Sequence, residues 1–558
     1  MRVLMMACLP LSLAACAAPV RDAVAPAARV DAIAVPAVGR DQETAAWWFR
    51  SGAAAAAGNG AMQGRAKNVI VFLGDGMSLT TVAAARILDG QRKGGSGEEN
   101  RLAWERFPAT ALSKTYNVDA QTPDSAGTMS AIVTGVKTRA GVLSVGPQPL
   151  RGDCAGARVA PMLTLMELAK SAGLATGVVT TARITHATPA ATYAHTPERN
   201  WENDTQLSDA VRAQGCTDIA KQLVDLPDAA TPDVAFGGGR MHFMTVEQRD
   251  PEEDDKVGLR LDGHDLIADW QARHPGGAYV WNREQLAAAR GKAPILGLFE
   301  YDHLHFEYDR KDDPDEPSLA ELTSAAIARL QDDKDGFVLL VEGGRIDHAH
   351  HYGNAYRALT DTIAMSEAVQ AAVDATSDDD TMILVTADHS HTLTFAGYPV
   401  RGNPILGKVR GSSGEDGGGD LALDGTGLPY TTLGYANGPG YTGASGSQPA
   451  GPKTFLHQGA GFEPSAGRPN LADVDTAAPD YMQESVLPLA SETHGGEDVG
   501  VWARGPGADA VRGSIEQNAI FHLLVQAAPK LRERLCAQQL CNADGVPVTL
   551  PKPEEFRR

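Results

Sequence analysis

Phe337-Val-Leu-Leu-Val-Glu-Gly-Gly-Arg-Ile-Asp-His-Ala-His-His351 is the stretch on which the reading of this chain turns. Its apolar first half is a buried strand ending in Glu342, and Asp347 and His351 follow, four residues apart. A carboxylate and an imidazole at i and i+4 lie on one helical face and can close on a zinc ion, while Glu342 at the strand end can reach a second metal nearby. The segment reads as a metal site.

Three further strands end the same way. Asn68-Val-Ile-Val-Phe-Leu-Gly-Asp75 runs apolar into an aspartate, and Thr381-Met-Ile-Leu-Val-Thr-Ala-Asp388-His389 runs into an Asp-His pair. Gly177-Val-Val-Thr-Thr181 leads toward His186 and Thr188. In open α/β sheets, ligands gather outside the carboxyl ends of the strands, where loops from several strands converge. One such strand end alone is ordinarily a turn or a helix cap. Four delivering ligands to one place point to a shared site.

Thr122-Pro-Asp-Ser-Ala-Gly-Thr-Met-Ser-Ala-Ile-Val-Thr134 supplies the candidate nucleophile. Pro123 and Asp124 ahead of small residues read as a helix start, so Ser125 falls in the first turn, where free N–H groups favour an oxyanion. A metal on its oxygen would help it ionise without a neighbouring base. Ser125 reads equally as an ordinary N-terminal helix residue, and its spacing alone does not choose.

The 558 residues carry 70 acidic and 49 basic side chains, a net charge of −21 that argues against nucleic acid as a partner. At the amino end, Arg2 precedes an apolar run from Val3 to Leu13 that is too short to span a membrane. It ends in Leu13-Ala14-Ala15-Cys16, which resembles a bacterial lipobox: residues 1–15 would be a signal peptide and Cys16 the lipidated first residue of the mature chain. Ala17 after Cys16 favours sorting to the outer membrane, giving a periplasmic or cell-surface protein with a lipid anchor. The alternative is a plain secretory signal cut near Ala18. Residues 16–40, rich in Ala, Val and Pro, read as a flexible tether. Outside the leader, Cys154, Cys216, Cys536 and Cys541 form an even set that fits an oxidising compartment and allows three pairings.

The stretches FLGDGMS, TPDSAGT, THATPAATYAHTPERNW, VEGGRIDHAHH, VTADHSHT and ETHGGEDVGVWARGP resemble the metal-dependent alkaline phosphatases, and the vertebrate branch more than the enteric bacterial form. The resemblance runs in order over residues 41–545, which implies one catalytic domain followed by a tail at 546–558. The implied fold is α/β, a central and mostly parallel sheet flanked by helices, with a Gly-rich crown inserted at about 400–469. The implied activity is hydrolysis of phosphate monoesters through a phosphoserine on Ser125, at a site of two zinc ions and one magnesium. Position by position, Asp347, His351 and His494 resemble the ligands of one zinc, and Asp75, Asp388 and His389 those of the second. Glu342, Thr188 and again Asp75 resemble the magnesium ligands. Arg199 matches the guanidinium that forks onto two phosphate oxygens, a geometry a lysine does not reproduce. Overall charge would repel an anionic substrate at long range, but divalent cations in one pocket reverse the local field.

His186 and His348 stand where the enteric form carries an aspartate near the magnesium and a lysine beside the zinc-ligand aspartate, and both match the vertebrate type. The resemblance also implies a calcium ion held by Glu252, the Phe299 carbonyl, Glu300 and Glu316, although aspartate is usual at the last position and the spacing there differs by one residue. It favours pairing Cys154 with Cys216 and Cys536 with Cys541. Trp47 and Trp48 resemble the arm that crosses to a partner subunit in a homodimer, the alternative being a helix packed on its own chain. Gly411-Ser-Ser-Gly-Glu-Asp-Gly-Gly-Gly419 is the extreme of the crown and reads as a mobile loop. Two other functions share some of these features. A sulfatase or phosphodiesterase would keep the two-metal core, but sulfatases need a Cys-x-Pro-x-Arg setting and diesterases lack the Arg199 match. A non-catalytic lipoprotein that binds metal or phosphate would tolerate loss of Ser125 or a ligand, and none is lost.

Overall fold

The computed structural model describes residues 31–289, 294–411, 419–457, 459, 461–464 and 467–556. The expected signal peptide, the lipidation site Cys16, the first part of the tether and most of the glycine cluster at 411–419 lie outside the described residues.

Strand β1 (Asn68–Gly74) is buried along its whole length. Val69, Val71 and Leu73 enter one hydrophobic core, and Ile70 and Phe72 enter a second on the opposite face. Side chains alternate across a strand, so a strand covered on both faces reads as an unbroken apolar run, which is why the sequence shows no polar alternation here. Nine more strands complete the sheet: β2 (Ala109–Lys114), β3 (Ala175–Arg183), β4 (Val234–Gly238), β5 (Ala278–Val280), β6 (Ile295–Leu298), β7 (Phe337–Gly343), β8 (Thr381–Ala387), β9 (Val499–Arg504) and β10 (Arg512–Glu516). Their order is β10-β2-β9-β8-β1-β7-β3-β4-β6-β5. Only β9 runs against the rest, being antiparallel to both β2 and β8. The expected mostly parallel sheet between helical layers is therefore the observed one.

Register brings the site together. Gly74 pairs with Gly343 and with Ala387, and Thr180 of β3 pairs with Glu342, so the carboxyl ends of four neighbouring strands stop at one level. Asp75, Glu342 and Asp388 are delivered there. Gly76 has a positive φ of 68°, and a Cβ on it would meet the His391 ring at 2.3 Å, so the turn after Asp75 needs glycine on both counts.

Helix α1 (Ala45–Gly58) packs one face against its own chain. Trp48 and Phe49 are 2% and 0% exposed, and the Phe49 ring packs on Phe521 and His522 of α4 (Ala519–Ala527). Its apolar face is thus used by its own chain, each buried ring contributing about 2–3 kcal/mol. The described end of the tether lies against the same helix, with Trp47 Nε1 donating to the Pro36 carbonyl at 2.9 Å and Arg50 Nε to that of Ala34 at 2.9 Å. The tail packs too, since Val546 joins Ala53 and Ala57 in a small core and Phe556 is buried. Cys154 is bonded to Cys216, and Cys536 to Cys541. In the crown region a three-stranded sheet of Leu393–Phe395, Leu433–Gly438 and Ser485–Pro488 extends past 400–469 at both ends. Among the described residues, no helix is long and apolar enough to cross a membrane.

Candidate active site

Helix α2 (Ser125–Thr134) begins where the sequence places it. Asp124 is its N-cap, with its side chain accepting from the Ala126 N–H at 3.0 Å, and Ser125 is the first helical residue. Ser125 is 2% exposed, and its Oγ lies 3.0 Å from His389 Nε2.

His389 Nδ1 faces the Ser390 carbonyl at 3.2 Å, an acceptor, so that nitrogen carries the proton. Burial, with neighbouring His494 next in weight, holds the ring neutral well below the ordinary histidine range. Its Nε2 lone pair then points at two carboxylates, 3.3 Å from Asp75 Oδ1 and 3.3 Å from Asp388 Oδ2. Among the described residues, neither oxygen of Asp75 meets a hydrogen-bond donor. Burial raises the Asp75 pKa well above the usual carboxylate value, and Asp388, Asp347 and Glu342 push it further. Three acceptors converging without a proton between them fit a bound cation, because uncompensated buried charge is costly. The nitrogen and oxygen donors suit zinc.

A second group repeats the pattern. Helix α3 (Arg345–His351) puts Asp347 and His351 on one face. His351 Nδ1 donates to the Glu492 carbonyl at 2.6 Å and His494 Nδ1 to that of Pro123 at 2.8 Å. Both Nε2 atoms turn inward, each 3.4 Å from Asp347 Oδ1 and 3.2 Å from one another. His391 joins them, and the sequence reading missed it: its Nε2 is 2.6 Å from Asp347 Oδ1 and its Nδ1 faces Glu492. Burial opposes charge on His391, but Glu492 and Asp347 outweigh it and push its pKa up to about 10. One signal for it was available, the period-two spacing from His389, while the strand that pairs His391 with His494 is seen only in the fold.

Asp75 also faces a third group with His186 and Glu342. Glu342 accepts from Thr180 Oγ1 through one oxygen and leaves the other without a donor. Burial, offset by the Thr180 and Thr188 hydroxyls and reinforced by Asp388 and Asp347, pushes its pKa up to about 7. A cation would relieve this too, and the oxygen donors suit magnesium.

Arg199 is not paired with Glu198 or Glu202. Glu198 binds Arg151 and Glu202 binds Arg183, whereas Arg199 Nη1 donates to Asp124 Oδ1 at 2.7 Å and Nη2 to His186 Nε2 at 3.0 Å. His186 is held neutral at a pKa of about 3, by burial first and by Arg199 next. His348 Nδ1 accepts from Arg345 Nη1 at 3.0 Å, and its ring lies 5.3 Å from that of His186.

The expected calcium ligands are only partly gathered. Glu300 and Glu316 come together, but with His305 and Asp313, while Glu252 is ion-paired to Arg240. His305 Nδ1 lies 2.9 Å from Glu316 Oε2, and hydrogen bonds to Glu300 and Glu316 push its pKa up to about 10. His305 Nδ1 thus lies within ion-pair distance of both carboxylates, a contact that no sequence pattern indicated.

The alkaline phosphatase family model matches residues 66–530. The chain belongs to the alkaline phosphatase family. The tissue-nonspecific alkaline phosphatase isozyme of Gallus gallus is 43% identical over 475 residues, 84% of this chain and 85% of that protein. The Homo sapiens isozyme is 42% identical over 471 residues, 83% of this chain and 84% of that one. Among solved structures, the alkaline phosphatase of Thermus thermophilus matches with a TM-score of 0.57 at 25% identity, covering 85% of this chain and 96% of that one. The alkaline phosphatase of the Antarctic bacterium TAB5 matches in fold, with a TM-score of 0.54 at 19% identity over 84% of this chain and 99% of that one. This alkaline phosphatase therefore hydrolyses phosphate monoesters and uses divalent metal ions.

Proposed function

We propose that this phosphatase acts through a phosphoserine on Ser125, at a site for two zinc ions and one magnesium. The observation that carries the reading is the convergence of Asp75, Asp388 and the Ser125 hydroxyl on His389 Nε2. Asp75, Asp388 and His389 would hold one zinc, Asp347, His351 and His494 the other, and Asp75, Glu342 and Thr188 the magnesium. Bound there, the ions would supply Lewis-acid stabilisation of the attacking and leaving oxygens.

The chain's own groups do the rest. Helix α2 presents Ser125 at its first position, where its oxygen attacks phosphorus as the bond to the leaving alcohol breaks. Arg199 is pre-positioned, since Asp124 and His186 each take one hydrogen from a different terminal nitrogen. One N–H on each nitrogen remains to fork onto two phosphoryl oxygens. His391 fixes Asp347, and Glu492 fixes His391. Water then attacks the phosphoserine from the side opposite Ser125, breaking the serine–phosphorus bond and releasing phosphate.

The lipobox supports export and anchoring of the mature chain through Cys16, and family resemblance supports a homodimer. Calcium at Glu252, Phe299, Glu300 and Glu316 would have to compete with Arg240 and His305 for its carboxylates, which argues for weak binding there. The test of the catalytic reading is turnover of an aryl phosphate, an aryl sulfate and a phosphate diester, with metals stripped and restored. The expected result is a preference for the monoester by several orders of magnitude, lost on chelation and regained with zinc and magnesium. Equal turnover of the diester, or full activity after stripping, would overturn it.

A further inference from the structure

Beside the metal-ligand cluster lies an open cleft of about 560 Å³, lined by His303, Arg345, His348, His351, Tyr352 and His457 among others. His351 belongs to the Asp347 group, so the cleft opens directly off the site. Ser125 faces the opposite group, at Asp75, Asp388 and His389. An in-line displacement sends the leaving oxygen away from the nucleophile, toward Asp347 and hence toward this cleft.

The cleft's electrostatics are unlike those of the rest of the molecule. In a chain of net charge −21, its lining holds no carboxylate among the described residues. Arg345 supplies its permanent positive charge. The neighbouring arginines are neutralised, Arg183 by Glu202 and Asp302, Arg199 by Asp124, and Arg357 by Asp309 and Asp480. Arg345 instead lies 3.7 Å over the Phe306 ring and donates to neutral His348; its Nε has no hydrogen-bond partner, and no carboxylate pairs with it among the described residues. Asp361 is the strongest acidic influence on it, without a contact. A half-buried guanidinium left without a counter-charge favours an anionic partner.

His457 reaches into the cleft from the crown. It is 1% exposed, its Nδ1 lies 2.8 Å from Ser447 Oγ, and its Nε2 is buried without a partner among the described residues. A guanidinium and an unused imidazole nitrogen on one acid-free cleft form a receptor for oxyanions.

We propose that this cleft is an accessory subsite for a second phosphoryl group carried by the leaving portion of the substrate, bound by Arg345 and His457. The inference rests on the phosphatase reading and deepens it. The enzyme would favour phosphate esters with another phosphoryl group on the same small molecule over esters of uncharged alcohols. No new bond chemistry is involved, because the distal group is held while the proximal one is transferred to Ser125.

Short linear diols carrying one or two phosphates, with linkers of about two to six carbons, isolate the effect, because the scissile bond stays the same. In the metal-loaded wild type, kcat/KM for the bisphosphate should exceed that for the monophosphate by about tenfold or more at the best linker length, beyond the twofold expected from two equivalent ends. Arg345→Met and His457→Leu should each bring the ratio close to two, while aryl phosphate turnover stays within about threefold of wild type. Arg345→Lys should recover part of the ratio. If Arg345→Met does not fold, His457→Leu alone gives the answer. A wild-type ratio of two at every linker length, or a high ratio unchanged in the variants, would overturn the subsite. Failure of the wild type to hydrolyse the aryl phosphate would instead overturn the phosphatase mechanism beneath it.

Discussion

His391 Nε2 lies 2.6 Å from Asp347 Oδ1, and the other nitrogen of the same ring faces Glu492. A charged imidazole between two carboxylates fixes which way Asp347 points, so the geometry of one metal group depends on a residue outside its expected ligand set. Supports of this kind are worth about 10–100-fold in metal affinity. His391→Ala should therefore weaken retention of one zinc by that order while Ser125 and Arg199 stay in place. Competition against a chromophoric chelator measures it, and unchanged affinity would mean that Asp347 orients itself.

Arg199→Ala should weaken inhibition by inorganic phosphate and raise KM more than it lowers kcat, because a forked guanidinium binds the phosphoryl oxygens of the ground state as well as those of the transition state. Steady-state kinetics with phosphate as inhibitor check it. An unchanged inhibition constant would confine Arg199 to its ion pair with Asp124.

His186→Asp should tighten magnesium and lower turnover. A neutral imidazole beside Asp75 and Glu342 stabilises a dication less than a carboxylate would, and a site that holds its ion more tightly also holds product phosphate longer. Magnesium titration of the stripped protein against activity reads both effects. A variant that needs as much magnesium as the wild type and turns over as fast would remove His186 from the magnesium environment.

Much of this site was legible because the chemistry falls at strand ends. Asp75, Glu342 and the Asp388-His389 pair each follow an apolar run, and the α/β rule says that such ends converge. The relationships that complete the site were not legible, because they are made by tertiary contact. Glu492 reaches His391 across 101 residues, and Asp124 reaches Arg199 across 75. The packing of Phe49 on Phe521 and His522 of α4 is likewise a contact between distant parts of the chain, which the Trp47-Trp48 pair alone does not announce. His305 is a further case: five residues from Glu300 it is an exposed histidine in the sequence, and only in space does its Nδ1 lie 3.6 Å from Glu300 and 2.9 Å from Glu316.

The core offers a test independent of the site. His522 is buried against Phe49 and is held neutral at a pKa of about 3 by desolvation, against 6.5 for an ordinary histidine. Below pH 6.5 the unfolded chain takes up a proton that the folded chain refuses, so the stability present above that pH is lost as pH falls toward 3. The loss approaches about 1.4 kcal/mol per pH unit. His522→Gln should make denaturation free energy less steep in pH by up to that amount between about pH 6 and 4. An unchanged slope would mean that His522 is protonated in the fold.

The covalent intermediate on Ser125 is the central claim, and acid-quenched rapid mixing of the zinc- and magnesium-loaded enzyme with a phosphate-labelled aryl ester, followed by peptide mapping, tests it most directly. The account predicts label on the peptide carrying Ser125 in the wild type. It predicts none in Ser125→Ala, whose turnover should fall by at least about a thousandfold with its fold and zinc content intact. Label on another residue, or undiminished turnover in Ser125→Ala, would contradict it.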